Sequence, residues 1–409
     1  MLSNSIQQKI EELFNATPIH IGVGYGKKIT NGEYTGEIGI VFHVKEKLPL
    51  DQIPADQVLP TTVDIEGTSY KTDVIEVGEV NFLVCNSDTA NNCYGWQQTA
   101  PANRNTIRPL QSGVSFTSGN QQATVGTLGL IAVDVATQAL VGITNNHVAI
   151  ENAFYTNQRP AASATSNELY DPVFQTGDIQ PSASNLMIGR VIRYVPLVTS
   201  GFNYLDIAVC SIEDPSTISN TESFKQYGLD YNTPMPFATT SEINSLLSTD
   251  PEIYSSGRTT GAKGPGFCSL VVSGVGVASN VGPYIYSGGL STGILFGDLI
   301  SFTRVDPDCP QPIAGGDSGS ALIANFSGVW KIIGLVFAGS TSIGYACRID
   351  RLATEMGIEA WDGTAKNYID PTSVQYKTVA GGSGATSITC GADKYWQIGS
   401  TNVIDSPCV

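Results

Sequence analysis

Apolar positions between residues 5 and 14 recur at helical spacing, with Ile6, Ile10, Leu13 and Phe14 on one stripe and polar residues between them. This predicts a short amphipathic helix, and Ser5 and Gln8 have the separation of a capping box. The period then changes to that of strands. Runs at Ile19–Tyr25, Glu37–Val44, Thr61–Ile65 and Thr72–Val77 alternate as strands do, so residues 1–80 are expected to form a small α/β unit. Gly22 and Gly24 fall in the first run and Gly26 just after it, but their spacing is not G-x-G-x-x-G and no helix follows, which argues against a phosphate loop.

From Cys85 to Gln111 the chain is polar, and residues 81–112 read as a linker. From Gly113 onward, short apolar runs alternate with turn clusters, as in GTLGLIAVDVATQALVGITNN. That is the pattern of β-barrels and sandwiches. A helix is expected around Ser241–Leu247, and a second series of short strands runs from Ile253 to Ile349. The two series, within residues 113–235 and 236–362, read as two packed β-barrels. The fold expected is therefore mainly β, with the small N-terminal α/β unit in front. Residues 363–409 form a tail rich in Gly, Ser and Thr, in which Tyr395, Trp396, Ile398, Val403 and Ile404 could anchor a hairpin.

Composition narrows the function. Only 14% of the 409 residues are charged, and 43 Gly with 21 Pro suit strands and turns better than charged helices or disorder. A net charge of −16 repels phosphate backbones, so neither nucleic acid nor an anionic membrane is expected as a partner. No apolar run is long enough for a membrane helix. The start, MLSNSIQQKIEELF, has no secretory pattern, so the default compartment is cytoplasmic, with reduced thiols. The eight cysteines are Cys85, Cys93, Cys210, Cys268, Cys309, Cys347, Cys390 and Cys408, and none forms a C-x-x-C pair. With three His and no clustered ligands, neither a metal nor another cofactor is expected.

The chemistry-bearing residues lie in three contexts. Acyl transfer to water needs a nucleophile, a base, a carboxylate to orient the base, and donors for the oxyanion. Gly315-Gly316-Asp317-Ser318-Gly319-Ser320 offers Ser318 as nucleophile, with the Gly316 and Ser318 amides as donors. His147, in ITNNHVAI, follows an apolar strand and is the candidate base. Asp206, in YLDIAVC, enters another apolar strand, where a buried carboxylate needs a partner such as an imidazole N–H. The order His, Asp, Ser, at separations of 59 and 112 residues, puts His147 and Asp206 on the first barrel and Ser318 on the second.

Residues 107–350 resemble the trypsin-like serine peptidases of the chymotrypsin clan, particularly bacterial and plant members with an N-terminal extension. The resemblance rests on RPLQSGVSF, VGTLGLIAV, TNNHVA, LDIAV, SGRTTG, GGDSGSALI and IIGLVFAGS, and on GEIGIVFHVKEKLP and TDVIEVG in the extension. It implies a chymotrypsin-like double β-barrel with the active site between the barrels, and a peptide or protein as substrate. Two departures stand out: Val148 replaces the usual Cys after the histidine, and residues after Thr364 match nothing in the family.

The resemblance also implies a specificity pocket. The residue six before the serine, here Pro312, would line its floor, and Phe337, Ala338 and Gly339 would form the wall that pairs with substrate backbone. Pro312 offers no carboxylate, so cleavage after Lys or Arg is not expected. Cys347, just beyond that wall, is expected to pack rather than react. No basic residue followed by Ile-Val-Gly-Gly precedes the first barrel, so Asp317 is not expected to need a freed N-terminus as its partner. A competing reading from a different class is a binding or structural protein that uses the barrels and terminal segments as docking surfaces.

Overall fold

A computed structural model of the chain describes residues 3–407, except 17–19, 31–32, 84, 87–101, 119–123, 150–171, 176–186, 196, 214–217, 219–223, 225–234, 265–267, 283, 287–288, 292, 307–308, 310, 365, 368–374, 377–387, 391–394 and 399–400. Most of the segment expected as a linker, together with Cys93 and Cys408, therefore lies outside the described residues.

The first helix, α1 (Asn4–Ala16), buries Ile6 and Ile10. Its cap is Ser3 and not Ser5: the Ser3 hydroxyl accepts the Ile6 N–H at 3.3 Å, while Ser5 sits inside the first turn. The two serines are close enough in sequence that only the true helix start separates them. Strands β1 (Gly22–Thr30), β2 (Glu33–Val44), β3 (Thr62–Ile65) and β4 (Thr68–Glu76) follow. β1 and β2 form an antiparallel hairpin, β4 lies parallel to β2, and β3 pairs with β4.

The first barrel is built from β6 (Cys85–Asn86), β7 (Val114–Ser118), β8 (Thr124–Leu128), β9 (Leu130–Asp134), β10 (Ala139–Thr144), β11 (Pro172–Phe174), β12 (Met187–Tyr194) and β13 (Ala208–Ser211). Just before it comes the two-residue strand β5 (Asn81–Phe82), which belongs to the other sheet. The first sheet runs β9-β10-β13-β12-β11-β7-β8-β6. The four-residue helix α2 (Asn146–Ala149) follows β10 directly. Val114, Phe116, Leu128, Val173, Val191 and Trp361 are among the side chains that fill this barrel.

Helix α3 (Thr240–Thr249) separates the barrels and starts with a reciprocal capping box between Thr239 and Glu242. The second barrel then takes β14 (Ile253–Gly257), β15 (Gly261–Lys263), β16 (Leu270–Val281), a small hairpin of β17 (Tyr284–Tyr286) and β18 (Gly289–Ser291), β19 (Ile294–Arg304), β20 (Ala321–Phe326), β21 (Val329–Gly339) and β22 (Ile343–Arg348). Its sheet runs β15-β14-β20-β21-β22-β19-β16 and continues without a break into β1-β2-β4-β3. The joint is β1 against β16, where Gly22 faces Ser279 and Gly26 faces Gly274. A Cβ on Gly24 would stand 2.6 Å from the Val277 side chain, so a glycine is needed for this approach. The N-terminal strands thus share one sheet and one buried core with the second barrel.

After β22 come α4 (Ile349–Met356) and β23 (Ile358–Ala360), which returns to pair with β9. In the tail, β24 (Gln375–Tyr376), β25 (Ile388–Cys390), β26 (Tyr395–Ile398) and β27 (Thr401–Pro407) make a four-stranded antiparallel sheet in the order β24-β27-β26-β25. The tail side chains expected to anchor a hairpin lie outside the described residues. Two curled sheets with this strand order make the chain a mainly β protein with a chymotrypsin-like double β-barrel fold.

The expectation of reduced thiols fails at one pair. Cys268 and Cys309 are joined by a disulfide that links the start of β16 to the loop after β19. They lie 41 residues apart, and only the folded sheet brings them together. Cys210 and Cys347 are free and buried. No helix among the described residues is long and apolar enough to cross a membrane.

Two histidines other than His147 are buried. His43 Nδ1 lies 2.6 Å from the Tyr345 hydroxyl, and His20 packs between Phe14 and Phe42 with neither ring nitrogen hydrogen-bonded among the described residues. Burial pushes His43 down to about 3 and His20 down to about 4, from an ordinary value of 6.5. The unfolded chain therefore takes up these two protons well before the folded one does. The contribution of these two histidines to stability should be fully present above about pH 6.5 and should fall as the pH drops toward 4, by on the order of 1 kcal/mol per pH unit for each. His20→Leu should remove one of the two contributions. Urea unfolding at pH 7, 6, 5 and 4 reads it as a shallower acid slope, and an unchanged slope would contradict the assignment.

Candidate active site

The short helix α2, directly after β10, carries His147 and buries it. Asn145 and Asn146 brace this turn. Their side-chain amides donate to the Asp206 and Val195 carbonyls, both at 2.6 Å. Asp206 sits just before β13, which pairs with β10, so the strand register brings it under His147. Asp206 accepts the His147 backbone N–H at 3.1 Å through Oδ1, and its Oδ2 hydrogen-bonds the His147 Nδ1. The other ring nitrogen, Nε2, lies 2.7 Å from Ser318 Oγ. Residues distant in sequence thus form one hydrogen-bonded chain, and all three are fully buried.

Ser318 stands on the loop between β19 and β20, whose shape depends on glycine and on Asp317. Gly316 and Gly319 both have φ of +94°, in the left-handed region. A Cβ on Gly319 would meet the Thr127 carbonyl oxygen at 2.1 Å. Asp317 is buried and its carboxylate is saturated. Oδ1 accepts the Thr259 and Thr260 N–H groups at 2.9 and 3.0 Å, and Oδ2 accepts the Thr260 hydroxyl at 2.6 Å and the Ala314 N–H at 2.9 Å. Lys263 Nζ lies 3.9 Å away and donates to the Pro312 carbonyl. Burial pushes Lys263 down to about 8, against the opposing pull of Asp317. Among the described residues, the aspartate is held by Thr259 and Thr260 of the SGRTTG segment, by Ala314 and by Lys263.

The remaining candidate residues lie on the same loop and on β21. The Gly316 N–H, one of the two expected oxyanion donors, donates to the Leu83 carbonyl at 2.7 Å. Phe337, Ala338 and Gly339 are the last part of β21, which pairs with β22 on one side and with the chain's own β5 on the other: Ala338 faces Phe82 and Gly339 faces Asn81. Pro312 lies under the loop with its carbonyl turned to Lys263. Burial, reinforced by the negative charge of Asp206, raises the Cys347 thiol well above its ordinary value, which suits a packing residue. Lys263 and the Leu83 segment were not singled out from the sequence, and Thr259 and Thr260 entered only as part of SGRTTG. The one trace of the last is a short apolar island, Phe82-Leu83-Val84, at the start of a polar stretch.

Among the described residues, no His, Cys, Asp or Glu groups gather as a metal site would require. No family model and no curated protein matches the chain. Similar solved structures include two named as proteases. The crystal structure of Nocardiopsis protease (NAPase) is 14% identical, with a TM-score of 0.35, covering 61% of this chain and 98% of that one. The structure of the HRV-C 3C protein with rupintrivir is 12% identical, with a TM-score of 0.24, covering 57% and 89%. The NS6 protease from murine norovirus 1 is 11% identical, with a TM-score of 0.21, covering 53% and 88%. Similarity at this level carries no residue-to-residue correspondence.

Proposed function

We propose that the chain is a serine endopeptidase that hydrolyses peptide bonds through a covalent acyl-enzyme. The observation that carries the reading is the hydrogen-bonded series Asp206–His147–Ser318. In this reading His147 Nε2 takes the Ser318 proton as Oγ attacks a carbonyl carbon, and Asp206 holds the ring with Nδ1–H toward itself. The Gly316 and Ser318 amides receive the developing oxyanion. His147 then returns the proton to the leaving amine, and water resolves the ester by the same route. No metal or cofactor enters these steps. A docking protein built on the barrels would not need a buried imidazole between a carboxylate and a hydroxyl, and that arrangement favours the enzyme. The test is labelling with a fluorophosphonate probe. The wild type should be labelled on Ser318 and Ser318→Ala should not, and equal labelling of both would end the proposal.

Peptides with Lys or Arg before the cut bond should be poor substrates. The resemblance puts Pro312 at the floor of that pocket, where it would offer no carboxylate, and its carbonyl already accepts from the cation Lys263. A peptide-library digest checks this, and dominant cleavage after basic residues would contradict it.

A further inference from the structure

We propose that residues 80–83 lie in the cleft as an intramolecular substrate, and that Ser318 cuts the chain's own Leu83–Val84 bond. This rests on the peptidase reading above and names its first substrate. The segment is held as a peptide would be, by backbone. The Leu83 N–H donates to the Phe337 carbonyl at 3.2 Å, Phe82 and Asn81 pair antiparallel with Ala338 and Gly339, and the Val80 carbonyl accepts the Gly282 N–H at 3.0 Å. Extended backbone added to a strand in this way is a recurring mode of peptide recognition.

The carbonyl at the end of this stretch is the one that chemistry would need. The Leu83 oxygen accepts the Gly316 N–H at 2.7 Å, and Ser318 Oγ is 3.3 Å from the same oxygen. Beyond it the chain leaves for the other barrel, where Cys85 faces Val125 and Asn86 faces Thr124 across β6 and β8. The chain therefore passes the serine from the second barrel to the first, with the Leu83 carbonyl at the crossing. A segment serving only to connect the barrels has no need to seat that carbonyl on a donor beside a nucleophile. The side chains are engaged as well. Leu83 is buried in the same cluster as Ile313, Phe337 and Ala338, and the Phe82 ring covers the His147 imidazole at 5.1 Å between centroids. The substrate class follows: leucine before the cut, preceded by an aromatic residue.

In the proposed step, Ser318 Oγ bonds to the Leu83 carbonyl carbon and its proton passes to His147. The bond to the Val84 nitrogen breaks, and that nitrogen takes the proton. Water then hydrolyses the Leu83 ester, restoring the serine and leaving a Leu83 carboxylate and a Val84 amine. Because the bond is presented within one molecule, the reaction is first order in protein. The same occupancy keeps other substrates out until the cut is made.

The test is to purify the wild type, Ser318→Ala and Leu83→Ala, incubate each at several concentrations, and follow intact mass and N-terminal sequence. Each is also assayed on a Val-Asn-Phe-Leu peptide carrying a fluorogenic leaving group. The wild type should separate under denaturing conditions into residues 1–83 and 84–409 at a rate independent of concentration. Ser318→Ala should stay whole, and Leu83→Ala should be cut at least tenfold more slowly. The same cut in Ser318→Ala, or an unchanged rate in Leu83→Ala, overturns the proposal. A wild type that stays whole overturns it too. If that whole chain hydrolyses the peptide, the peptidase reading stands without self-cleavage, and if it neither hydrolyses the peptide nor takes the fluorophosphonate, both fall.

Discussion

Ser318→Ala is expected to lower peptide turnover about a million-fold, because the nucleophile is the group through which every proposed covalent step passes. His147→Ala should lose about as much, and the double variant should be little worse than either. That non-additivity follows from geometry. Nε2 is 2.7 Å from Oγ, so the base has no purpose without the nucleophile, and the nucleophile is weak without the base. Single-turnover kinetics on one peptide, with all three variants confirmed as folded, measures it. If the two losses multiplied, the side chains would be acting independently and the assignment of roles would be wrong.

Asp317→Ala carries the second large effect, and it is felt first in the fold. The substitution strands three backbone N–H groups and one hydroxyl, all of which now point at the carboxylate, and leaves the buried Lys263 without its counter-charge. Removing one partner from a buried pair of this kind costs about 3–5 kcal/mol. The loop that carries Gly316 should lose its shape at the same time. Turnover should then drop by about 10²–10³-fold, the effect of misplacing one oxyanion donor. Asp317→Asn, which keeps one acceptor oxygen, should fall between the two proteins in urea unfolding and in turnover. A variant Asp317→Ala within about 1 kcal/mol of wild type would mean that the loop is held by something other than this carboxylate.

The candidate site could be proposed from the sequence because each of its parts sits in a distinctive local context. Ser318 lies among glycines that a positive φ requires, and Asp206 interrupts an apolar strand where an unpartnered carboxylate would be costly. What could not be read is contact between segments. Nothing local in SGRTTG says that its amides turn to Asp317, and nothing marks Lys263 as its cation. Cys268 and Cys309 meet because β16 and β19 are neighbours, a fact of topology and not of spacing. The Leu83 segment shows the same limit. Its composition blends into a polar stretch, and its importance comes from the Phe337 and Gly316 backbone groups that receive it. At α1, the helix was legible from its stripe while its cap was misplaced from Ser3 to Ser5, since a cap depends on a single dihedral transition that neighbouring serines suit equally well.

The joint between β1 and β16 bears on how the two pieces of a cut chain would behave. With β1 in place, residues 274–279 of β16 are paired on both sides, to β19 and to β1. A chain beginning at residue 84 would open that side of β16, leaving a row of unsatisfied amides and carbonyls in a strand of largely apolar residues. Exposed strand edges of this kind recruit other chains, so such a truncated protein should be prone to aggregation. If the proposed cut is made, residues 1–83 should therefore behave as a lasting subunit, held to the barrel by the β1–β16 pairing.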